Sequence, residues 1–355
     1  MVGIMGICFF VRDVAWAFPR SVIILSGMIY FVCLLLKSIL SWYVSHRLWT
    51  VKKTIIVGNN SEKLHQIIVN NYSRFYDVIG QYSESDSTLL SKIELVDMVF
   101  ICADIQLEMR EIILPECLRH NKEVCFIPQY SDLSIISSSL YKTGDIPTFR
   151  ITNMELSPEE RIVKRVLDLV LGTIIAILSL PVALLFMVLI KLDGGPIFYI
   201  QERLTRGNQL FNIYKFRTMI PDAEKISGPV LAEDKDPRIT PLGRFMRSLR
   251  IDELPQILNV IKGDMSLVGP RPERPFFAEQ FERDMQEYRF RLKVKAGLTG
   301  LAQVEGKYNT SVEDKLRYDL IYINNYSVLR DLVIILQTIK ILFLKESTEG
   351  ITSNS

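Results

Sequence analysis

Two adjacent carboxylates beside arginines are the residues of this sequence most suited to chemistry. Asp252 and Glu253 lie between Arg247 and Arg271, and the stretch closes with Gly-Pro-Arg-Pro at 269–272. Opposite charge nearby favours the ionised form of a carboxyl group, so we expect Asp252 to be ionised. An ionised aspartate can coordinate a metal or attack phosphorus as a nucleophile. The stretch therefore predicts a site for an anionic substrate.

The same residues also fit a purely structural interpretation. Asp252 could be the N-cap of a helix from about Glu253 to Ile261, with Gly263 as its C-terminal stop. Glu253 would then complement the positive end of the helix dipole. The acidic pair alone leaves both interpretations open, and the surrounding sequence must decide between them.

Further basic residues recur beside glycine and proline turns in the same half of the chain. Each alone would be an ordinary surface charge. Their recurrence in a region that also holds the acidic pair predicts a pocket for a diphosphate. The predicted phosphate contacts are Arg203, Lys215, Arg217, Arg238, Arg247 and Arg271.

Composition narrows the possible classes of protein. The chain has 355 residues with 48% apolar content, which is enough for two domains. A net charge of only +2 gives no overall field for binding nucleic acid. The five cysteines all lie at or before Cys125 without metal-ligand spacing, so a thiol nucleophile or zinc site is excluded from the C-terminal half.

Two apolar stretches are long enough to enter a bilayer. The first, Ser21–Val44, contains Lys37 as its one charged residue. It predicts an N-terminal membrane segment at residues 1–50, with a transmembrane helix at about 21–44. Basic residues follow it, namely His46, Arg47, Lys52 and Lys53. By the positive-inside rule they place the next domain in the cytoplasm.

The second apolar stretch, Leu169–Ile190, has no charged residue. If both flanking domains are cytoplasmic, it must enter and leave the bilayer by one face, which predicts a re-entrant helix at about 166–190. Pro181 removes a helical hydrogen bond and favours a bend, and Ser179 could satisfy a freed backbone group. A kinked spanning helix is the alternative and is the commoner structure for such a stretch.

Alternating strand and helix patterns between residues 51 and 150 predict a small Rossmann-like domain with a parallel α/β sheet. The turn after the first strand has one glycine, Gly58, where a dinucleotide-binding fingerprint has three. We therefore interpret the domain as structural or regulatory. The predicted strands are Thr54–Val57, Val78–Tyr82, Met98–Cys102 and Val124–Ile127. The predicted helices are Glu62–Asn70 and Gln106–His120.

A connector at 131–157 leads into a helix with a clear start signal. Ser157 can be its N-cap, proline follows, and Glu160 stands at capping-box spacing. A collar of basic residues precedes the apolar stretch, namely Arg161, Lys164 and Arg165. We expect this collar to contact anionic lipid headgroups or a lipid phosphate, or to serve as a plain interfacial anchor.

Ordered blocks of residues between about 157 and 345 resemble the bacterial sugar transferases, a family of monotopic phosphoglycosyl transferases. An apolar segment and a degenerate α/β domain ahead of them are similar to the large form of that family, although its membrane region has more spans. The matching residues are Lys164, Arg165 and Asp168; Gly195, Pro196 and Phe198; Gln201 and Arg203; Lys215–Met219; Asp252–Gln256; Asn259; Gly263–Pro272; and Gly297, Thr299, Gly300, Ala302 and Gln303.

The resemblance implies a two-step exchange at Asp252. This aspartate would attack the β-phosphorus of a UDP-sugar, form an aspartyl phosphosugar and release UMP. A polyprenyl (undecaprenyl) phosphate would then take the phosphosugar, as the first membrane step of capsule, exopolysaccharide or other surface glycan synthesis. Glu253 would handle a proton or position the lipid phosphate. Arg247 and Arg271 match positions that hold phosphate in the family.

The resemblance also implies a cofactor and a location. Mg²⁺ would help arginines to compensate the charge on the phosphate oxygens, with Asp252 as its first ligand and Asp222 or Glu224 as less favoured ones. The expected partners are a UDP-sugar, polyprenyl phosphate and the lipid bilayer, with no nucleic acid. A homodimer through the α/β domain would be compatible, although no residue pattern demands one.

The expected fold is an α/β membrane protein of the bacterial inner (plasma) membrane. Its catalytic domain, residues 157–355, would be a mostly helical α+β domain on the cytoplasmic membrane surface. Tyr288–Lys295 and Tyr326–Leu344 could lie along that surface, although the second stretch equally suits an ordinary packed helix.

Several residues depart from the family pattern. Thr205 stands where glycine is usual, Ala296 where proline is common, and Leu301 where tryptophan is frequent. Glu305 and Lys307 replace residues that are often Asn and Arg. Because this last cluster could shape the sugar pocket, the identity of the sugar stays open, as does the polyprenol length.

Two other functions remain as alternatives. A membrane glycosyltransferase would move the sugar alone and release UDP. A membrane-tethered scaffold or sensor would use the α/β domain and have no catalytic activity. The nucleotide product distinguishes the two enzymes.

Overall fold

A computed structural model describes residues 20–48, 50–136, 138–151, 154–220, 236–306 and 310–342. The chain divides into two compact units, residues 1–127 and residues 128–355. Each unit is described by itself.

The first unit contains an apolar helix followed by an α/β sheet. Its helices are α1 (Arg20–Leu48), α2 (Ser61–Tyr72), α3 (Leu89–Ile93) and α4 (Leu107–Arg119). Its strands are β1 (Lys52–Val57), β2 (Tyr76–Tyr82), β3 (Met98–Ile101) and β4 (Glu123–Phe126). The predicted helix at 21–44 falls inside α1, whose apolar side chains between Leu25 and Tyr43 are exposed around the helix. A helix that is apolar all round is typical of lipid surroundings.

The four strands form a parallel sheet in the order β2-β1-β3-β4, which confirms the predicted parallel α/β arrangement. All four strands lie within a few residues of the predicted ranges because each is a short apolar run bounded by turn residues. Ile55, Val57 and Val99 are fully buried and pack with Ile113 of α4. The sheet therefore has its own hydrophobic core.

The second unit begins earlier than the sequence predicted. Its elements are α5 (Tyr130–Ile136), β5 (Ser139–Thr143), β6 (Ile146–Arg150), α6 (Pro158–Leu192), β7 (Phe198–Thr205), β8 (Gln209–Phe216), α7 (Pro241–Ser248), α8 (Gln256–Lys262), β9 (Ser266–Val268), α9 (Pro275–Asp284), β10 (Gly297–Thr299), α10 (Leu301–Val304), α11 (Val312–Asn324) and α12 (Val328–Leu342). Leu133 is buried in the larger core, and its carbonyl accepts a hydrogen bond from Asn324 at 2.9 Å. The compact unit that holds the α/β sheet thus ends at Ile127, whereas the sequence predicts a domain that extends to residue 150.

Short strands and helices surround the core of the second unit. β7 and β8 form an antiparallel hairpin, and β9 pairs in parallel with β10. Val260 of α8, Met265, and Leu316 and Leu320 of α11 are almost fully buried in one cluster. This core fixes the loops before and after α8, which carry the acidic pair and the segment Gly269–Pro272.

The helix α6 starts at the predicted capping box. The Ser157 hydroxyl accepts from the Glu160 N–H at 3.2 Å, and the Ser157 N–H donates to the Glu160 carboxylate at 2.8 Å. The helix continues through Pro181 to Leu192, and the re-entrant bend at Ser179 and Pro181 stays a prediction. Ser179 donates to its own helix, to the Ala176 carbonyl at 3.3 Å. One missing hydrogen bond bends a helix without ending it when both flanks are packed.

Among the described helices, α6 is the one long and apolar enough to cross a membrane, while Leu25–Ser41 forms a shorter apolar stretch. The middle and the C-terminal part of α6 pack on the same unit. Ile175 and Ala176 contact its main core, and Phe186 and Ile190 are buried beside Phe216 and Met246. The interval from Ala176 to Phe186 is about 15 Å at the helical rise.

Candidate active site

A sharp reversal of the backbone positions the acidic pair. α7 ends at Ser248, and Arg250 has the left-handed conformation with φ of 54°. The residues Ile251–Glu253 then form one 3-10 turn before α8 begins at Gln256. A left-handed residue with a side chain costs roughly 1–2 kcal/mol. Such strain is concentrated at functional sites, where the surrounding packing holds it in place.

The structure corrects half of the N-cap interpretation. Asp252 makes no side-chain capping bond to α8, which begins three residues later than predicted. Gly263 does end the helix, with φ of 101°, and its N–H donates to the Asn259 carbonyl at 3.0 Å. The aspartate is therefore held before the helix without serving as its cap.

Glu253 is surrounded by three cations. Its Oε1 lies 3.2 Å from Lys215 Nζ and 2.8 Å from an Arg271 guanidinium nitrogen, and its Oε2 lies 3.8 Å from Arg250. Burial opposes the ionisation of Glu253, but Arg271, Lys215 and Arg250 outweigh it and lower the pKa of this carboxyl well below its usual range. Glu253 is therefore a firmly ionised anchor for Lys215 and Arg271, and a poor proton donor.

Asp252 has a contrasting environment. It makes no hydrogen bond or ion pair with any other residue that the structure describes. Burial, followed by the charge of Glu253, raises the pKa of Asp252 to about 6, although Lys215, Arg247 and Arg271 oppose this change. The neighbouring arginines were expected to lower the pKa of Asp252. The pKa is raised instead, because the effect of burial is larger than theirs. Near pH 7 most Asp252 side chains are nevertheless ionised and have free oxygens.

Two supports fix the cations beside the acidic pair. Lys215 stands on β8 opposite Tyr199, and burial lowers the pKa of its ammonium group. The carbonyl of Arg271 accepts from Arg291 at 2.8 Å, and Arg291 pairs with Asp319 at 2.9 Å. Arg291 was expected in a surface stretch along the membrane, but it is buried because its guanidinium pairs with this buried carboxylate.

Arg247 approaches the site from α7. Its Nε donates to the Thr218 hydroxyl at 2.9 Å. α7 can lie this close to the end of β8 because Gly243 has no side chain, and a Cβ there would be 2.0 Å from the Thr218 carbonyl oxygen. Arg238 is engaged by Asp236, with its Nε 2.8 Å from the carboxylate. That contact lowers the pKa of Asp236 to about 2.

The structure gives Arg217, a predicted phosphate contact, several partners within the protein. Arg217 is buried, and its guanidinium donates to the carbonyls of Pro196 at 2.9 Å, Met219 at 3.2 Å and Ile190 at 3.3 Å. It also pairs with Asp193 at 3.4 Å. Arg217 therefore fastens the C-terminal end of α6 to the hairpin.

Arg203 is also largely enclosed. It donates to the Gln201 side chain at 2.7 Å and pairs with Glu273 at 3.4 Å. Burial lowers the pKa of its guanidinium, and the charge of Arg271 adds to this effect. Of the six predicted phosphate contacts, the structure thus brings Lys215, Arg247 and Arg271 into electrostatic contact with Asp252.

A buried ionic network holds the start of α6. Lys164 Nζ lies 2.7 Å from Asp331 on α12 and 3.1 Å from the Tyr322 hydroxyl, while Asp168 accepts from Ser266 and from the Leu267 N–H, both at 2.9 Å. Lys164 was expected to face lipid headgroups. It faces inward instead, and sequence spacing alone carried no signal of its distant partners.

Arg165 also turns inward. Two of its nitrogens donate to the Val260 and Ile261 carbonyls of α8, each at 2.7 Å. A cation at a helix C-terminus satisfies carbonyls that lack intrahelical partners. Arg161, the third residue of the predicted collar, differs because its side chain is exposed and forms an ion pair with Glu155 at 2.8 Å.

Two departures from the family pattern explain each other. The Ala296 N–H donates to the Thr205 hydroxyl at 3.2 Å, and that hydroxyl donates to the Asp264 carbonyl at 2.9 Å. Proline at position 296 would have no N–H, and glycine at 205 would have no hydroxyl to receive one. Thr205 and Ala296 therefore form a compensated pair.

The residues fit a metal only together with substrate. The described residues contain no group of three or more His, Cys, Asp or Glu side chains that could hold a metal ion, and Asp222 and Glu224 lie outside them. Glu253 is engaged by cations, so Asp252 is the free carboxylate. Mg²⁺ typically binds one or two carboxylates plus substrate phosphates, which suits such a site.

Comparisons with known proteins match the part of the chain that carries the acidic pair. A family model described as "Bacterial sugar transferase" matches residues 159–345. The chain is 43% identical over 188 residues to a UDP-N-acetylgalactosamine-undecaprenyl-phosphate N-acetylgalactosaminephosphotransferase of Aeromonas hydrophila, covering 52% of this chain and 44% of that protein.

Two further relatives carry related names. An undecaprenyl-phosphate galactose phosphotransferase of Salmonella typhimurium is 29% identical over 330 residues, covering 83% of this chain and 69% of the relative. A UDP-glucose:undecaprenyl-phosphate glucose-1-phosphate transferase of Escherichia coli is 34% identical over 223 residues, covering 61% and 48%. The chain thus spans from under half to about two thirds of the length of these relatives.

Proposed function

The chain belongs to the bacterial sugar transferase family, and from this membership we propose that it transfers a phosphosugar from a UDP-sugar to a polyprenyl phosphate. UMP would leave in the first step. The observation that carries the proposal is the contrast within the acidic pair, in which Glu253 is engaged by three cations and Asp252 has free oxygens.

In the first step an Asp252 carboxylate oxygen forms a bond to the β-phosphorus of the UDP-sugar. The bond between that phosphorus and the oxygen bridging to the α-phosphate breaks, and UMP takes the electron pair. In the second step an oxygen of the polyprenyl phosphate bonds to the same phosphorus and displaces Asp252. The product is a polyprenyl diphosphate sugar, and the carboxylate is restored.

Fixed cations support both steps. Phosphoryl transfer depends on positioning and on compensating the charge of the phosphate oxygens. Lys215 and Arg271 are held by Glu253, and Arg247 is held by Thr218, so these cations are in place before substrate binds. Glu253 acts as a positioning residue, because its lowered pKa makes it unsuitable as a general acid.

Mg²⁺ bound by Asp252 and the diphosphate would supply further charge neutralisation. Asp252 alone offers too few ligands to hold Mg²⁺, so we propose that Mg²⁺ binds together with the nucleotide and not before it. Calorimetric titration of Mg²⁺ should show binding in the presence of UDP-sugar and none without it. Tight binding to the nucleotide-free protein would contradict this arrangement.

The second unit is proposed to be monotopic on the cytoplasmic face of the bacterial inner membrane. The two packed portions of α6 are separated by about 15 Å, half of the roughly 30 Å hydrocarbon core. α6 therefore cannot span the bilayer and keep both contacts. Its outward face is apolar, and α12 likewise exposes the apolar residues Leu329, Leu332, Val333, Leu336 and Ile339.

The experiment that tests the function separates UMP from UDP. Purified full-length protein is incubated with Mg²⁺, polyprenyl phosphate and, in turn, UDP-galactose, UDP-glucose and UDP-N-acetylgalactosamine. These sugars are those in the relatives' names, which do not single out one. UMP release with one of them supports the proposal, whereas UDP as the sole product contradicts it.

The nucleophile is tested by substitution and by mass. Asp252→Asn should abolish UMP release, while the matched control Asp284→Asn, at an exposed aspartate of α9, should retain it. Intact-protein mass spectrometry without polyprenyl phosphate should show a phosphosugar adduct on wild type and none on Asp252→Asn. Full turnover by Asp252→Asn would remove this residue from the nucleophile role. A regulatory or dimerising role of the α/β unit stays a prediction.

A further inference from the structure

A cavity lies at the base of α6. It is formed by the first turns of that helix, the turn between β7 and β8, and the segment 293–295, and it has a volume of about 40 Å³ with an opening to solvent. Six cationic side chains line it, namely Arg161, Lys164, Arg165, Arg206, Lys293 and Lys295.

These cations outnumber the carboxylates near them. Asp168 lies in the wall, Glu155 pairs with both Arg161 at 2.8 Å and Lys293 at 3.5 Å, and Asp331 pairs with Lys164. Asp264 also acts on the charge of Lys295, so six positive charges face four negative ones, which leaves an excess of two. An enclosed excess of one sign attracts a ligand of the other sign.

Several N–H groups in the cavity are not used in the hydrogen bonds that the structure describes. Arg165 uses two of its five on carbonyls of α8, and Lys295 uses one of its three on the Gly263 carbonyl at 2.6 Å. Arg206 is exposed and makes no hydrogen bond or ion pair with the residues that the structure describes. Burial, then Arg165 and Arg206, lowers the pKa of Lys295, so these cations repel each other in the free protein.

The cavity is separate from the acidic pair. Arg165 and Lys295 bind the C-terminal end of α8, whereas Asp252 precedes its N-terminal end, and the seven residues of α8 span about 10 Å. The cavity also has a distinctive neighbour. The uncharged, apolar part of α6 begins at Leu169, directly after Asp168. A phosphate held here would lie beside an apolar surface, as the phosphate of a membrane lipid does.

We propose that this cavity binds a phosphate group, the chemistry shared by a phospholipid headgroup and a free phosphate ion. Charge-assisted bonds from arginine and lysine to phosphate oxygens are stronger than neutral ones. The bound group relieves the repulsion among Arg165, Arg206 and Lys295. It also fixes the depth at which α6 lies, because the site stands one turn from the apolar stretch.

The test measures binding by full-length protein in detergent micelles, without UDP-sugar, so its result does not depend on the proposed catalytic activity. The probes are phosphatidylglycerol, diacylglycerol with the same acyl chains, inorganic phosphate, and chloride at the same ionic strength. Native mass spectrometry reports lipid binding, and the midpoint of thermal unfolding reports the ions. Arg206→Glu is the main variant and Arg206→Gln the milder one. Arg283→Glu, at an exposed arginine of α9, is the matched control.

Phosphatidylglycerol should bind wild type and Arg283→Glu with equal affinity, and Arg206→Glu at least tenfold more weakly, which is about 1.4 kcal/mol. Diacylglycerol should bind all three weakly. If inorganic phosphate alone gives the same pattern of stabilisation, the site takes free phosphate, which also supports it. Equal affinity of phosphatidylglycerol for wild type, Arg206→Gln and Arg206→Glu, or equal binding of diacylglycerol, would overturn the proposal.

Discussion

The ionisation of Asp252 makes the pH dependence of the first step a sharp prediction. Its pKa is raised to about 6, and only the ionised carboxylate can attack phosphorus. Activity should therefore be present above pH 6 and be lost as the pH falls through that value. About nine tenths of the Asp252 side chains are ionised at pH 7 and just under one tenth at pH 5, so the rate should fall roughly tenfold between these two pH values.

Removing the charge of Lys215 should move this transition. Lys215 lowers the pKa of Asp252, so Lys215→Met raises it. We therefore expect the acid limb of the pH–rate profile to lie at higher pH in Lys215→Met than in wild type. On that limb, each full pH unit of displacement lowers the rate at a fixed pH about tenfold.

The assay is single-turnover release of UMP without polyprenyl phosphate, which isolates the first step. Lys262→Met is the matched control, because Lys262 also lies 3.2 Å from a carboxylate, Asp264, but is exposed. Its profile should superimpose on that of wild type. An acid limb below about pH 5 in wild type would refute the raised pKa. A lower rate of Lys215→Met with an unmoved limb would mean that Lys215 acts only by binding substrate.

Three predictions concern stability, each measured by thermal or denaturant unfolding in detergent. Lys164→Met should lower the free energy of unfolding by about 3–5 kcal/mol, because it leaves Asp331 buried without its cation. The double variant Lys164→Met with Asp331→Leu should recover most of this loss. Arg217→Lys should lower the unfolding midpoint, because lysine cannot donate to several carbonyls at once. It should leave the KM for UDP-sugar unchanged. A raised KM with an unchanged midpoint would contradict the structural role of Arg217. Thr205→Gly should lower the free energy of unfolding by about 1–3 kcal/mol, because it leaves the Ala296 N–H unpaired. Adding Ala296→Pro should recover part of this loss. An equal loss in the single and the double variant would show that the two sites are independent.

Local signals were sufficient for the elements of the fold. The Ser157 capping box, the Gly263 helix stop and the four strands of the α/β sheet each depend on residues within one short segment. The boundary near Ile127 was missed because it depends on the burial of Leu133 against residues almost two hundred positions later. No composition shift at the boundary marks that contact.

The same distinction explains the mixed outcome for the arginines and lysines. A sequence shows that a cation is present, but the role of the cation depends on which acceptors the fold places beside it. Arg217 is surrounded by carbonyls at the end of α6, and Lys164 pairs with a carboxylate 167 positions away, so both have structural partners that the sequence alone does not show.

The acidic pair shows why neighbouring residues of the same charge can have different functions. Glu253 faces Lys215, Arg250 and Arg271, and these contacts keep it ionised and fix their positions. Because those cations are engaged by Glu253, Asp252 experiences their field without direct bonds to them. Its oxygens therefore remain free, and its raised pKa makes it more nucleophilic than a fully paired carboxylate. The left-handed residue Arg250 begins the 3-10 turn that carries both carboxylates.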